Sequence, residues 1–326
     1  MPAVALPPVT ILDDLNTNGI RAYNICLELE KSAPADSDTL IHARTLGYLI
    51  IHSPSHTALQ EVANAIHSCA RDHAKLSHLG QCFINYFIRP FKKFKGRTPA
   101  SSDNPSCQSS CDKLKRDLIQ EAPKTHKEAK DLALVRDGFR CVVTGNYHHD
   151  TLSQVSASAN EIREAGVVYT QCAHIALEST YFNLSDLDSS NEEPDYAALV
   201  KVHPLYNVMT MQSDIHEWFT RLEIRFEKTE VTNRYRIRSI DAWYRLPAEV
   251  TFTTPDDENL PVPSESLLAL HAVCAKVANF SGAAEYIDKL DQEVEDLGVL
   301  AHDGSSGDVL SSALLKSMNQ AVGVGH

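Results

Sequence analysis

The chain has 326 residues, 43% hydrophobic and 22% charged, which suits a protein with about two packed domains. Its net charge of −13 argues against a simple nucleic-acid coat, and no run approaches the ~18 consecutive apolar residues of a membrane span. The first residues lack the basic and apolar segments of a secretory signal, and the 8 cysteines are irregularly spaced. We therefore expect reduced thiols, an intracellular location, cytoplasmic or nuclear, and no membrane partner.

Residues 1–99 predict an α-helical N-terminal region. Apolar residues recur at helical spacing over 11–31, 39–51, 57–76 and 79–91. Residues 100–132 then predict a polar linker that leads into a charged helix.

Basic charge is concentrated around this first boundary. Residues 89–136 hold 12 Lys and Arg against 6 Asp and Glu, a net of +6. Basic residues alternate with phenylalanines at its start, a combination that can contact phosphates and stack on bases. The alternative interpretation is a solvated helix end. The candidate nucleic-acid contacts in this stretch are Lys92, Lys93, Lys95 and Arg97.

Residues 133–246 predict a mixed domain. Short β-branched runs indicate strands over 140–144, 167–172 and 202–211, followed by a helix over 215–221. Period-two alternation over 222–226 and 235–240 predicts an extra β-hairpin. Its outward arginines form either a second phosphate-binding patch or an ordinary solvated sheet face. These arginines are Arg225, Arg234, Arg236 and Arg238, and the last three are the candidate nucleic-acid contacts.

Residues 247–326 predict an acidic α-helical C-terminal region. They hold 3 Lys and Arg against 13 Asp and Glu, a net of −10, with amphipathic helices over 267–280 and 285–297. Such helical regions at both ends of a chain also suit a homo-oligomer, which is a further expectation.

Three polar residues in the middle domain suit phosphodiester hydrolysis. His174 follows a strand, Asn207 comes 33 residues later, and His216 follows 9 residues after that, on a helix. A histidine near its neutral pKa can activate water, a helical histidine can bind a metal ion, and an asparagine can fix a loop by bonding to its backbone. Neighbouring His148 and His149 lie in a polar segment and are expected to be exposed.

Several short motifs in this region resemble those of the HNH endonuclease domain, in the branch found in many fungal proteins. The motifs are residues 136–145, then Ala173-His174-Ile175, then residues 207–211 with His216 and Phe219. The resemblance covers about residues 133–240. It implies an α+β chain with a central ββα-metal domain, in which a β-hairpin packs against one helix with a divalent cation between them.

The resemblance also implies residue roles. His174 would be the general base, Asn207 would order the loop that aims it, and His216 would bind the metal, with Asp214 as a second candidate ligand. Stronger members of the family often place an acidic ligand directly before the first histidine, where this chain has Ala173. Mg²⁺ suits such a water-rich site best, with Mn²⁺ or Zn²⁺ as alternatives, and Cys172 is a softer donor that suits zinc.

The predicted function is a metal-dependent endonuclease acting on nucleic acid. The alternative is a repurposed HNH-like fold without nuclease activity, which serves as a binding module or as an enzyme on a small molecule. The acidic balance of the chain and Ala173 favour this alternative.

Overall fold

The structure, a computed structural model, describes residues 3–12, 15–92, 123, 126–176 and 204–297. Its α-helices are α1 (Thr17–Ser32), α2 (Asp38–Ile51), α3 (His56–Ser68), α4 (His73–Phe83), α5 (His126–Arg136), α6 (Ala159–Ala165), α7 (Ser213–Thr220), α8 (Glu265–Ser281) and α9 (Ala283–Leu297). Its strands are β1 (Tyr147–His148), β2 (Val167–Val168), β3 (Thr170–His174), β4 (Val208–Gln212), β5 (Ile224–Lys228), β6 (Arg234–Ser239) and β7 (Glu249–Thr251). These helices and small sheets confirm the predicted α+β class.

The chain divides into two compact units. Of the described residues, 3–12, 15–92 and 273–297 belong to the first unit, and 123, 126–176 and 204–272 belong to the second. The predicted C-terminal region is therefore divided, because residues 247–272 lie in the second unit and residues 273–297 in the first.

In the first unit, the helix predicted over 57–76 is two helices. Ala70 and Arg71 have φ angles of 49° and 62°, a left-handed conformation that cannot continue an α-helix. The Asp72 carboxylate then accepts hydrogen bonds from the backbone N–H groups of Ala74 and Lys75 and caps α4. The spacing of apolar residues did not predict this break, because both helices contribute buried residues to the same unit.

Helices α8 and α9 are separated by Gly282, whose φ is +87°. Within the part of the chain that the structure describes, no single helix has the length and apolar character of a membrane span. Helix α8 and the first part of α9 meet that test only as a pair, and the pair is bent by 81° at its break.

The described residues of the second unit form three small sheets. Strands β1 and β2 pair in parallel, and β3 pairs with β4 in antiparallel orientation, with His174 opposite Val208 and Thr170 opposite Gln212. Strands β5, β6 and β7 form an antiparallel sheet, in which β5 and β6 are the predicted extra hairpin. Strand β7 was not predicted, because three residues give too short an alternation to recognise.

The strand predicted over 140–144 is instead a bridge and a tight turn. Arg140 pairs with Tyr147 in a single bridge, and the N–H of Gly145 donates to the Cys141 carbonyl at 2.9 Å to close the turn. Gly145 has a φ of +76°, which favours glycine. One backbone hydrogen bond, from Val142 N–H to the Thr210 carbonyl, joins this turn to β4.

Candidate functional site

The β3–β4 pair has two buried faces. Ala173 pairs with Met209, and both side chains belong to the larger apolar core together with Ile215 and Phe219 of α7. Because successive side chains of a strand alternate between faces, Cys172 must lie on the other side. Cys172 and Val208 indeed pack there with the α5 residues Ala129, Leu132 and Ala133.

A buried ion pair fixes α5 against β4. The Arg136 guanidinium donates to both carboxylate oxygens of Asp137 and to the carbonyls of Leu205, Val208 and Pro261, at 2.7–3.1 Å. One Asp137 oxygen also accepts from the Thr210 N–H at 2.9 Å. Every one of these contacts satisfies a polar group that burial would otherwise penalise. The pair therefore sets the position of the chain on both sides of Asn207.

Asn207, directly before β4, forms hydrogen bonds with the two residues that follow β3. Its side chain is fully buried, its Oδ1 accepts from the Ala176 N–H at 2.9 Å, and its Nδ2 donates to the Ala176 carbonyl at 3.0 Å. The Asn207 carbonyl also accepts from the Ile175 N–H at 2.8 Å. Three hydrogen bonds thus hold the two residues that directly follow His174.

His174 lies beside two other side chains that carry candidate metal-ligand atoms. The candidate ligand atoms of His126, Cys172 and His174 all lie within 4.8 Å of one another, and the two imidazole centroids are 5.5 Å apart. His126 is exposed at the first residue of α5, His174 is half-buried at the end of β3, and Cys172 is buried between them and the core. Burial raises the pKa of the Cys172 thiol to about 12.

His216 lies on α7, on the other side of the β3–β4 pair. Its Nδ1–H donates to Oε1 of Gln171, which alternates onto the same face as Ala173. Gln171 precedes His174 by three residues, so about 10 Å of strand and a change of face separate the two sites. The structure therefore does not bring His174 and His216 together.

Asp214 and Ala173 do not complete a magnesium site beside His174. The Asp214 carboxylate accepts from the Gln212 amide at 2.7 Å and from the Ile215 N–H at 2.8 Å, in an exposed position at the start of α7. Ala173 is fully buried in the apolar core and has no ligand atom. Mg²⁺ needs oxygen ligands, whereas the donors gathered around His174 are two imidazoles and a thiol. The residues at the end of β3 do not fit the implied magnesium ion.

Three of the four predicted phosphate contacts that the structure describes are engaged in ion pairs. Lys92 is buried, and its ammonium lies 2.8 Å from Asp288, which does not favour a phosphate contact. Lys93, Lys95 and Arg97 lie outside the described residues. On β6, Arg238 approaches Glu227 at 3.4 Å and Arg236 approaches Glu249 at 3.7 Å, while Arg234 donates to the Thr251 hydroxyl.

His148 is buried, contrary to the expectation from its polar segment, whereas His149 is exposed. The Nδ1 atom of His148 accepts a hydrogen bond from the backbone N–H of Thr170 at 3.1 Å, which joins β1 to the start of β3. Burial lowers the pKa of His148. The exposed His149 ring lies against Tyr169.

His126 was not predicted as a site residue from the sequence. Cys172 and His174 are two residues apart on a strand, so their common face could be read from the sequence. No local pattern connects either of them with a histidine at the start of a helix more than 40 residues earlier.

Comparison with known proteins supplies no family. No protein-family model, no curated protein and no solved structure matches this chain. Functional inference therefore rests on the contacts within the second unit.

Proposed function

We propose that the second unit is an HNH-like ββα domain that hydrolyses phosphodiester bonds in nucleic acid, with His174 as the general base. The observation that carries the proposal is the fastening of residues 175 and 176 by Asn207. An asparagine that orders the loop after the first histidine is what the HNH resemblance implies. The packing of α7 on the β3–β4 pair also supports it, since Ile215 and Phe219 share a core with Ala173.

His174 would act by taking a proton from water. An imidazole nitrogen accepts the proton, the hydroxide oxygen forms a bond to phosphorus, and the bond from phosphorus to the leaving oxygen breaks. The leaving oxygen takes a proton from solvent, which yields a phosphate monoester and a free hydroxyl. Holding His174 at a fixed strand end would lower the cost of orienting the base.

The metal ion of this proposal is not assigned to His216. A divalent ion bound to phosphate would stabilise the charge that develops during hydrolysis. His216 and Asp214 are on the α7 side of the hairpin, away from His174, so they do not form one centre with the base.

A plasmid-cleavage assay tests the proposal. The full chain is incubated with supercoiled and single-stranded DNA, and separately with RNA, in the presence of Mg²⁺ or Mn²⁺. We expect His174→Ala to slow cleavage by roughly 10²–10⁴-fold, the usual contribution of a positioned base. The exposed His149→Ala variant is the matched control and should retain the rate. Equal rates in wild type and His174→Ala would remove His174 from the reaction.

The separation of His174 and His216 favours a second candidate, a repurposed HNH-like fold without nuclease activity. In that case Arg136, Asp137 and Asn207 serve to build a binding module, or an enzyme that acts on a small molecule. No cleavage of any substrate under either metal, by a protein that remains folded, would favour this candidate. Retention of nucleic acid at low salt then distinguishes a nucleic-acid-binding module from the other uses.

A further inference from the structure

We infer that His126, Cys172 and His174 form a binding site for a borderline-soft transition metal ion, with Zn²⁺ the best match. Their ligand atoms all lie within 4.8 Å of one another. In a tetrahedral zinc site, Zn–N distances near 2.0–2.1 Å and a Zn–S distance near 2.3 Å place neighbouring ligand atoms about 3.3–3.6 Å apart. Side-chain adjustments of about 1 Å would therefore close the cluster around an ion.

Two of the three ligands are held by the fold. Cys172 pairs with Thr210 and His174 pairs with Val208, so the register with β4 sets their positions on one face. Asn207 then fastens residues 175 and 176, directly beyond His174. A metal site on a strand whose ends are fixed loses little entropy when the ion binds.

The third ligand comes from the helix that packs on that face. Ala129, Leu132 and Ala133 of α5 share a core with Cys172, and this packing brings the start of the helix to the end of β3. His126 is exposed, His174 is half-buried and Cys172 is buried, so two of the three candidate ligands are accessible from solvent.

The donor set distinguishes this site from the magnesium site that the HNH resemblance implies. Thiolate and imidazole donors bind zinc and cobalt well and magnesium poorly. The three ligands found among the described residues leave a fourth position for water or a substrate oxygen, as in catalytic zinc sites.

The site has a consequence for the proposed nuclease, and this consequence alone rests on the proposed function. A zinc ion on the His174 imidazole occupies a nitrogen lone pair that a general base needs. Zinc would therefore inhibit cleavage in the presence of Mg²⁺, and a chelator that binds Zn²⁺ but not Mg²⁺ would restore the rate.

Zinc binding by the full chain tests the site without reference to activity. Binding of Zn²⁺ is measured in competition with a chromogenic chelator, and Co²⁺ is added to detect the thiolate-to-metal charge-transfer absorption. The variants are His126→Ala, whose exposed side chain makes it safe for folding, and Cys172→Ser. The matched controls are His149→Ala and Cys82→Ser, a second histidine that is exposed and a second free cysteine.

We expect wild type and both controls to bind zinc alike. His126→Ala and Cys172→Ser should each lower the affinity for one equivalent of zinc by at least about 100-fold. This is the upper end of the loss in affinity that follows removal of an outer-shell partner. The charge-transfer absorption of cobalt should disappear in Cys172→Ser. Unchanged zinc affinity in a folded His126→Ala protein would overturn the site.

The two proposals fail separately. A chain that binds zinc through His126 and Cys172 but cleaves nothing supports the site and contradicts the nuclease. A chain that cleaves DNA through His174 but binds zinc equally in wild type and His126→Ala supports the nuclease and overturns the site. If both hold, the zinc concentration for half-inhibition should rise in His126→Ala by about the same factor as its dissociation constant.

Discussion

His174 and His216 are placed on opposite faces of the β3–β4 pair. His174 shares the α5 face with Cys172, and His216 donates to Gln171 on the α7 face. A reaction centred on His174 must therefore draw its other groups from α5, β3 and the residues beyond β3.

This separation predicts how substitutions combine. His174→Ala and His216→Ala should change the free energy of unfolding additively, within about 0.5 kcal/mol, because the side chains lie in different environments. Gln171→Ala and His216→Ala should instead be coupled by about 0.5–1.5 kcal/mol, since they remove the same hydrogen bond. Urea unfolding of the wild type, the single variants and the double variants gives the coupling energy of each pair as a double-mutant cycle. Strong coupling between His174 and His216 would place them in one site.

Asn207 should be needed for stability as well as for the site. Asn207→Ala leaves the N–H and carbonyl of Ala176 buried without their partner, which should cost about 2–4 kcal/mol of unfolding free energy. Asn207→Asp keeps the acceptor but loses the donor, so it should also destabilise. Asn259→Ala, at an exposed asparagine bonded to Asp256, is the control and should stay within about 0.5 kcal/mol of wild type. Thermal and urea unfolding provide the measurement.

The buried Arg136–Asp137 pair predicts a large asymmetric effect. Arg136→Met leaves the Asp137 carboxylate buried without its cation, which should cost about 3–5 kcal/mol. The double variant Arg136→Met with Asp137→Asn should recover part of this loss, because the buried charge is removed. Urea unfolding of the three variants checks the order. A double variant that is less stable than Arg136→Met alone would contradict the account.

His271 should make the second unit less stable in acid. Burial lowers the pKa of its imidazole to about 4, and the ring is stacked on Phe219 with Nε2 donating to the Phe219 carbonyl. The folded state therefore keeps this histidine neutral between pH 6.5 and 4, whereas the unfolded chain takes up a proton as the pH falls through 6.5. The contribution of His271 to the free energy of unfolding is fully present above pH 6.5. It is lost as the pH falls towards 4, by about 3 kcal/mol in total.

The His271→Gln variant isolates this effect, because the glutamine amide can still donate to the Phe219 carbonyl. Its unfolding free energy should vary less with pH over the same interval than that of wild type. His149→Gln, at an exposed histidine, should keep the wild-type slope. Equal slopes in wild type and His271→Gln would contradict the pKa of His271.

Much of the second unit was accessible from the sequence because its signals are local. Alternating residues predicted β5 and β6, and the helix predicted over 215–221 corresponds to α7. The tight turn at Gly145 was harder, since two valines beside it have a strand-like propensity that the short turn overrides.

The composition of the site was less accessible because it depends on non-local packing. The sequence order of His174 and His216 is compatible with either one face or two, and only the register of β3 decides between them. His126 joins Cys172 through the docking of α5, which depends on Ala129, Leu132 and the Arg136–Asp137 pair rather than on any motif.

The hydrogen bonds of Asn207 also have a consequence for the register of β3 with β4. They hold the two ends of the connection over residues 177–203 together, at residues 175–176 and at Asn207 itself. The bonds are made by residues 175, 176 and 207 themselves, so the register of β3 with β4 is secured at the point where the two strands meet this connection.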